Sequence, residues 1–286
     1  MSLVNHSCWV VGGVGVIGRG IAKGLLQAGA TVIVNSRSSA RLKQLEKELG
    51  SPERLVLVHG SLLPGHAQKT VSETLGNAPL NHVFSHGAVR FWTDRSGLDE
   101  TYSLGIRAKE QLLDMTPEDF AQSSAQLASL HFSAAQQLVP RLQANSGKST
   151  YTFVTGDGSG KPGSFKTAMS TINSHHIWGL SAALRHQLST RQDSNGAVIC
   201  REIRVNLPIN RSEEERKEER RKYPLSEEIG NLCAGVASSW MKEECNGRLI
   251  EVNEQHQLES LCQEYESTPD DGVVTMPTKW ESNGNL

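Results

Sequence analysis

Apolar, β-branched runs recur at Trp9–Val11, Thr31–Val34, Leu55–Val58, His82–Phe84, Tyr151–Val154, Val198–Val205 and Leu249–Val252, and segments with helical spacing of apolar residues separate them. Short strands alternating with helices imply parallel pairing through right-handed crossovers. The pattern therefore predicts an α/β fold, a doubly wound parallel sheet of about seven strands with helices on both faces. One helix start is sharply marked: Thr116-Pro117-Glu118-Asp119 offers a capping hydroxyl, a proline at the first helical position and acids in the first turn. That helix is expected to run through Phe120, Leu127, Leu130 and Leu138 to about Pro140, and a second long one to carry Ile172, Ile177, Leu180, Ala183, Leu184 and Leu188.

The first strand leads into Gly12-x-x-Gly15-x-x-Gly18 and then a helical run through Ile21, Leu25 and Leu26. The first glycine allows a sharp turn, the next lets backbone approach a pyrophosphate, and the last lets the helix pack closely with its amino end toward the anion. Set between a strand and a helix, the pattern predicts a Rossmann-type dinucleotide site. Gly12, Gly15, Val16, Ile17 and Gly18 are its candidate phosphate contacts. The second strand ends in Asn35-Ser36-Arg37, with no acid until Glu46. A 2′-phosphate needs donors and positive charge there, whereas NAD(H) calls for a carboxylate, so NADP(H) is favoured over NAD(H). In the alternative reading Arg37 merely opens a solvated loop. Ser61, after the third strand, and Ser85, His86 and Gly87, after the fourth, complete the candidate cofactor contacts, because ligands of such sheets bind at the carboxyl ends of the strands.

At 286 residues the chain can bury a full core, and a net charge of −2 with no basic stripe argues against nucleic acid. No apolar run is long enough to span a bilayer, and only Met1–Ser7 precede the first strand, so a cytoplasmic protein with no membrane partner is expected. Five scattered cysteines without a Cys-x-x-Cys pair read as reduced thiols. His82-x-x-x-His86 and His175-His176 are the nearest thing to metal clusters, but neither offers three convergent ligands, and no metal is expected.

Three segments stand outside the alternation. Residues 89–115, with Phe91, Trp92 and Tyr102, form a long connection that reads either as a lid or as a surface excursion. Residues 211–222 are almost wholly charged and read as a solvated helix or a substrate-covering flap. Residues 254–286 are polar and weakly periodic and read as an acidic tail beyond a domain spanning 1–253.

The glycine loop, Asn35-Ser36-Arg37, Ser85-His86-Gly87-Ala88, Thr116-Pro117-Glu118-Asp119-Phe120, Gly179-Leu180-Ser181-Ala182-Ala183-Leu184 and the closing Asn246-Gly247-Arg248-Leu249-Ile250-Glu251-Val252-Asn253 together resemble the short-chain dehydrogenase/reductase superfamily over roughly residues 8–253. The resemblance implies an oxidoreductase acting on a small organic substrate, and a homodimer or homotetramer paired through the two long helices flanking the fifth strand. It also implies a Tyr-x-x-x-Lys pair on the helix after that strand, because hydride transfer to a carbonyl must be matched by a proton. Alignment on Gly179-Leu180 puts Ser170 and Ser174 at those two positions, and Leu127 where an asparagine belongs. Tyr102, Tyr151, Tyr223 and Tyr265 are followed four residues on by Ile106, Thr155, Glu227 and Pro269, so the pair is missing from the sequence.

Thr155, with a hydroxyl at the fifth strand's end, and Asp157 just beyond it are the candidate replacements, Asp157 as proton donor if desolvation raises its pKa. The bland reading of Asp157 is a loop cap. His86 and His131 are alternative acids, and Lys161 or Lys166 alternative ribose contacts. Three functions are compatible with this pattern: an atypical NADP(H)-dependent reductase, a catalytically degenerate cofactor-binding protein acting as sensor or assembly subunit, and a redox-neutral cyclase or isomerase roofed by the cofactor.

Overall fold

A computed structural model describes residues 2–87, 112–144, 149–156, 168–190, 198–209, 217, 224–239 and 247–266. In chain order these form β1 (Ser7–Val11), α1 (Val16–Gln27), β2 (Thr31–Ser36), α2 (Ser39–Glu48), β3 (Leu55–His59), α3 (Ala67–Leu75), β4 (His82–His86), α4 (Pro117–Gln143), β5 (Ser149–Gly156), α5 (Ala168–Thr190), β6 (Val198–Val205), α6 (Ser226–Ser238), β7 (Leu249–Val252) and α7 (Gln255–Glu266). The strands make one seven-stranded sheet in the order β3-β2-β1-β4-β5-β6-β7, every pair parallel. This is the doubly wound architecture that the alternation predicts.

Period-two alternation divides the strand residues between two cores. Val10, Phe84, Val154 and Ile203 face α1, α2, α6 and α7, while Trp9, Val83, Tyr151, Phe153 and Cys200 face α3, α4 and α5. Because the order reverses at β1, the chain leaves β1 in one direction toward β2 and returns on its other side as β4. The crevice between the carboxyl ends of β1 and β4 is therefore the topological switch point, where ligands of such sheets bind.

The α1–α6 crossing is unusually close. A Cβ on Gly20 would collide with the Ser226 backbone, one on Gly24 with Gly230, and one on Gly230 with Gly20, so the two helices meet main chain to main chain. Helix α4 begins as expected, with the Thr116 hydroxyl accepting from the Asp119 N–H at 3.1 Å, but it continues one turn past Pro140, held by the fully buried Leu142.

The reading of 254–286 as a tail, with the domain ending at 253, needs correction. Helix α7 packs on α6 and buries Leu258 and Tyr265 completely, with Leu261 and Cys262 partly covered. Leu258, Cys262 and Tyr265 stand at helical spacing, a stripe too narrow to lift the mean hydropathy of an otherwise polar segment. Residues 267–286 lie outside the described residues, as do 88–111 of the long connection and, apart from Lys217, the charged run 211–222.

Candidate functional site

At the switch point, Gly12 leaves β1 with φ 74°, a left-handed conformation that suits glycine, and its carbonyl accepts from the Gly15 N–H at 3.0 Å. Gly15 is the N-cap of α1, extended, with no side chain capping the helix. The first three helical amides, those of Val16, Ile17 and Gly18, have no intrahelical acceptor and stand at the positive end of the helix dipole. A Cβ on Gly18 would strike the Gly12 carbonyl and come within 2.7 Å of Gly13 Cα, so the turn closes only around glycine. Gly13, absent from the sequence pattern, is also crowded, though by a side chain: its Cβ would lie 2.6 Å from a Val34 methyl.

At the end of β2 the three predicted contacts separate. Asn35 is spent on the fold: its Oδ1 accepts from Trp9 Nε1 at 3.0 Å and its amide donates to the Gly60 carbonyl at 3.3 Å. The Ser36 hydroxyl accepts from the Ser38 N–H, and Arg37 is half-buried, its carbonyl contacting His59 Nε2 at 3.0 Å. Ser61 is half-buried, its hydroxyl accepting from the Leu63 N–H and its backbone carbonyl taking the Thr70 hydroxyl.

The β4 end carries two histidines with fixed tautomers. His131, buried on α4, donates from Nε2 to the Gly87 carbonyl at 2.9 Å, so its Nδ1 accepts the Ser85 hydroxyl proton at 2.6 Å. Burial holds its pKa down to about 4, which keeps the ring neutral near pH 7. With both nitrogens engaged, His131 has no proton for a substrate, against its reading as an alternative acid. His86, half-buried, donates from Nδ1 to the Val154 carbonyl at 2.9 Å, and its pKa is likewise lowered by burial. Tyr151 offers no substitute phenol, being fully buried with its pKa raised by desolvation.

At the β5 end Thr155 does not present a free hydroxyl. It donates to Glu202 Oε1 at 2.8 Å, so its proton is engaged within the fold. Glu202 is wholly buried on β6 and also accepts from the Ser181 hydroxyl at 2.7 Å and from Arg185 Nη2 at 3.4 Å, both on α5, and from Arg204 Nε and Nη2 at 2.9 and 2.8 Å. The Arg204 guanidinium stacks on Trp178 at 4.2 Å. Two arginines and two hydroxyls compensate one buried carboxylate, and the cluster ties β5, α5 and β6 together directly under the rim. Sequence reasoning missed Glu202. Ser174 is half-buried on α5, and Ser170 stands one turn earlier on the same helix. Asp157, Lys161 and Lys166 lie outside the described residues.

The histidine pairs do not converge. His82 sits at the opposite end of β4 from His86, bonded to His6 and Thr150, while His175 and His176 bond the Thr171 and Ser124 carbonyls. Among the described residues no three His, Cys, Asp or Glu side chains form a metal-sized group, and no helix is long and apolar enough to cross a membrane.

Comparison with known proteins bears on the same region. A family model described as "NADP oxidoreductase coenzyme F420-dependent" matches residues 9–74. A short-chain dehydrogenase/reductase, iacG, from Pestalotiopsis fici is 25% identical over 261 residues, spanning 90% of this chain and 95% of the relative. Among solved structures, the Pseudomonas aeruginosa RhlG/NADP active-site complex superposes with a TM-score of 0.65 at 16% identity, covering 90% of this chain and 98% of that one. A short chain dehydrogenase from Bacillus anthracis gives 0.66 at 14%, covering 88% and 96%, and a dehydrogenase/reductase from Sinorhizobium meliloti 0.64 at 18%, covering 88% and 94%. At these identities the structural likeness shows a shared fold.

Proposed function

We propose that this chain is an NADP(H)-dependent oxidoreductase of the short-chain dehydrogenase/reductase type, acting on a small organic substrate without the Tyr-x-x-x-Lys pair. The observation that carries the reading is the cradle at the start of α1: amides with no acceptor among the described residues, beside a turn that closes only on glycine, at the sheet's switch point. The iacG relative and the RhlG/NADP complex support the oxidoreductase assignment. Ser36 and Arg37, with no acid beside them, support a 2′-phosphate.

When bound, the nicotinamide supplies or receives the hydride. The chain's own part is to hold the pyrophosphate on the Val16, Ile17 and Gly18 amides, to meet the 2′-phosphate with Arg37, and to keep β5 and α5 in register through Glu202. Asp157 is proposed as the proton donor. Self-association through α4 and α5 is part of the proposal, supported by Phe120 and Phe132, which are 39% and 52% exposed on α4.

Titration calorimetry with NADPH and NADH tests the cofactor reading: NADPH is expected to bind at least tenfold more tightly, with the margin lost in Arg37→Ala. NADPH oxidation across carbonyl and imine panels, abolished in Asp157→Asn, tests turnover. Binding without turnover would favour the second reading, a cofactor-binding protein. One observation draws toward that reading: the Ser85 and Thr155 protons and both His131 nitrogens are committed inward.

A further inference from the structure

Strand register places His86 at the carboxyl end of β4, beside the end of β1 from which the cradle starts. Val11 of β1 pairs with Ser85 of β4, so His86 stands one position further along, level with Gly12, while on its other side it pairs with Val154. Its side chain falls on the same face of β4 as Phe84, the face that α1 covers and against which Ile17 packs. The Nδ1 proton is fixed on the Val154 carbonyl. In the neutral ring Nε2 is therefore a lone pair, and no described residue hydrogen-bonds it. Among the described residues the other groups around it are few. His131 approaches from α4, α1 brings the positive end of its dipole, and Arg19 in the next turn is spent on Glu48 at 2.8 Å. Beside His86, β1 and β5 bring Gly12, Val154 and Gly156.

An acceptor nitrogen beside an acceptor-rich anion is repulsive unless a proton comes between them. We infer that His86 takes up a proton at Nε2 when a dinucleotide pyrophosphate settles on α1, becoming a cationic donor to it, so that cofactor binding is coupled to pH through this one side chain. The inference rests on the dinucleotide reading of the cradle. The step is a proton transfer without redox change: hydronium or a buffer acid gives up its proton, an Nε2–H bond forms, and Nδ1–H stays on the Val154 carbonyl. The structure orients His86 for this role, since the Nδ1 bond leaves Nε2 as the nitrogen free to respond.

Calorimetry with NADP+ in two buffers of different ionisation enthalpy measures the protons taken up on binding. The 2′-phosphate titrates identically in any variant, so the difference between wild type and His86→Gln isolates His86. Net uptake is expected in the wild type and its loss in the variant, with the wild-type affinity rising by up to about tenfold per pH unit between the bound and free midpoints of His86. In parallel, nuclear magnetic resonance of histidine-labelled wild-type protein is expected to show the His86 midpoint rise on adding NADP+. This measurement holds even if the variant fails to fold. Binding with equal uptake in both proteins, or an unmoved His86 midpoint, overturns the inference and leaves the dinucleotide reading intact. Absence of any NADP+ binding overturns both.

Discussion

Gly15→Ala separates a glycine kept for a ligand from one kept for the fold. Gly15 has φ −81° and ψ 170°, a conformation alanine adopts freely, and the nearest atom to an added Cβ is the Gly12 carbonyl oxygen at 3.4 Å, ordinary contact. Alanine at an N-cap costs from a few tenths to about 1 kcal/mol relative to glycine, and the stiffer unfolded chain returns about 0.4–1 kcal/mol. The balance lies within about 0.5 kcal/mol, a Tm change of roughly 1–2 °C at this size. In the cofactor complex the new methyl stands over the first-turn amides and displaces the phosphate from at least one of them. Losing one hydrogen bond to a charged group costs about 1.5–3 kcal/mol, or roughly ten- to a hundredfold in Kd. Gly18→Ala is the control: its Cβ meets the Gly12 carbonyl and Gly13 Cα, main-chain atoms that cannot step aside, and a loss of about 1–3 kcal/mol or more is expected. Thermal unfolding and NADPH titration of both variants decide the matter. If Gly15→Ala binds NADPH like the wild type, the cradle does not face a phosphate; if it melts as early as Gly18→Ala, position 15 is kept for the fold.

Glu202→Gln leaves Arg185 and Arg204, whose side chains are only 14% and 16% exposed, without their carboxylate, and urea unfolding should show a loss of about 3–5 kcal/mol. A change below about 1 kcal/mol would mean the two guanidinium groups reach water on their own. Acid should destabilise the fold through its buried histidines: His131 is held near 4, and His82 and His86 are also lowered by burial, against about 6.5 when unfolded. The unfolded chain then binds more protons, so the stability contributed by neutral rings is complete above about pH 6.5 and drains away as pH falls toward 4, His131 alone accounting for about 3 kcal/mol. Urea midpoints at pH 7, 5.5 and 4 check this, and a flat profile from 7 to 5 would contradict it.

Local signals carried most of what the sequence disclosed. The glycine loop, the Thr116 cap and β7 are written in neighbouring residues, so spacing alone placed them. Asn35 could not be read that way, because the groups that consume its amide, the Trp9 indole and the Gly60 carbonyl, are distant in sequence and meet it only across the sheet. Glu202 was hidden for the same reason. Its partners at 155, 181, 185 and 204 come from three elements, and a charged residue inside an apolar strand gives no hint that it is fully buried. Gly20, Gly24 and Gly230 belong to no sequence motif, and nothing short of the crossing itself reveals that each faces another main chain.

That crossing has a mechanical outcome. Without side chains to serve as bearings between them, α1 and α6 can neither roll nor slide independently, and α7 is seated on α6 in turn. The amino end of α1 is thus geared to α7, the last of the described helices. Severing the polypeptide after Val252 would take away the outer plate of a three-layer clamp and loosen the grip at its far end, although no residue of that plate belongs to the cradle.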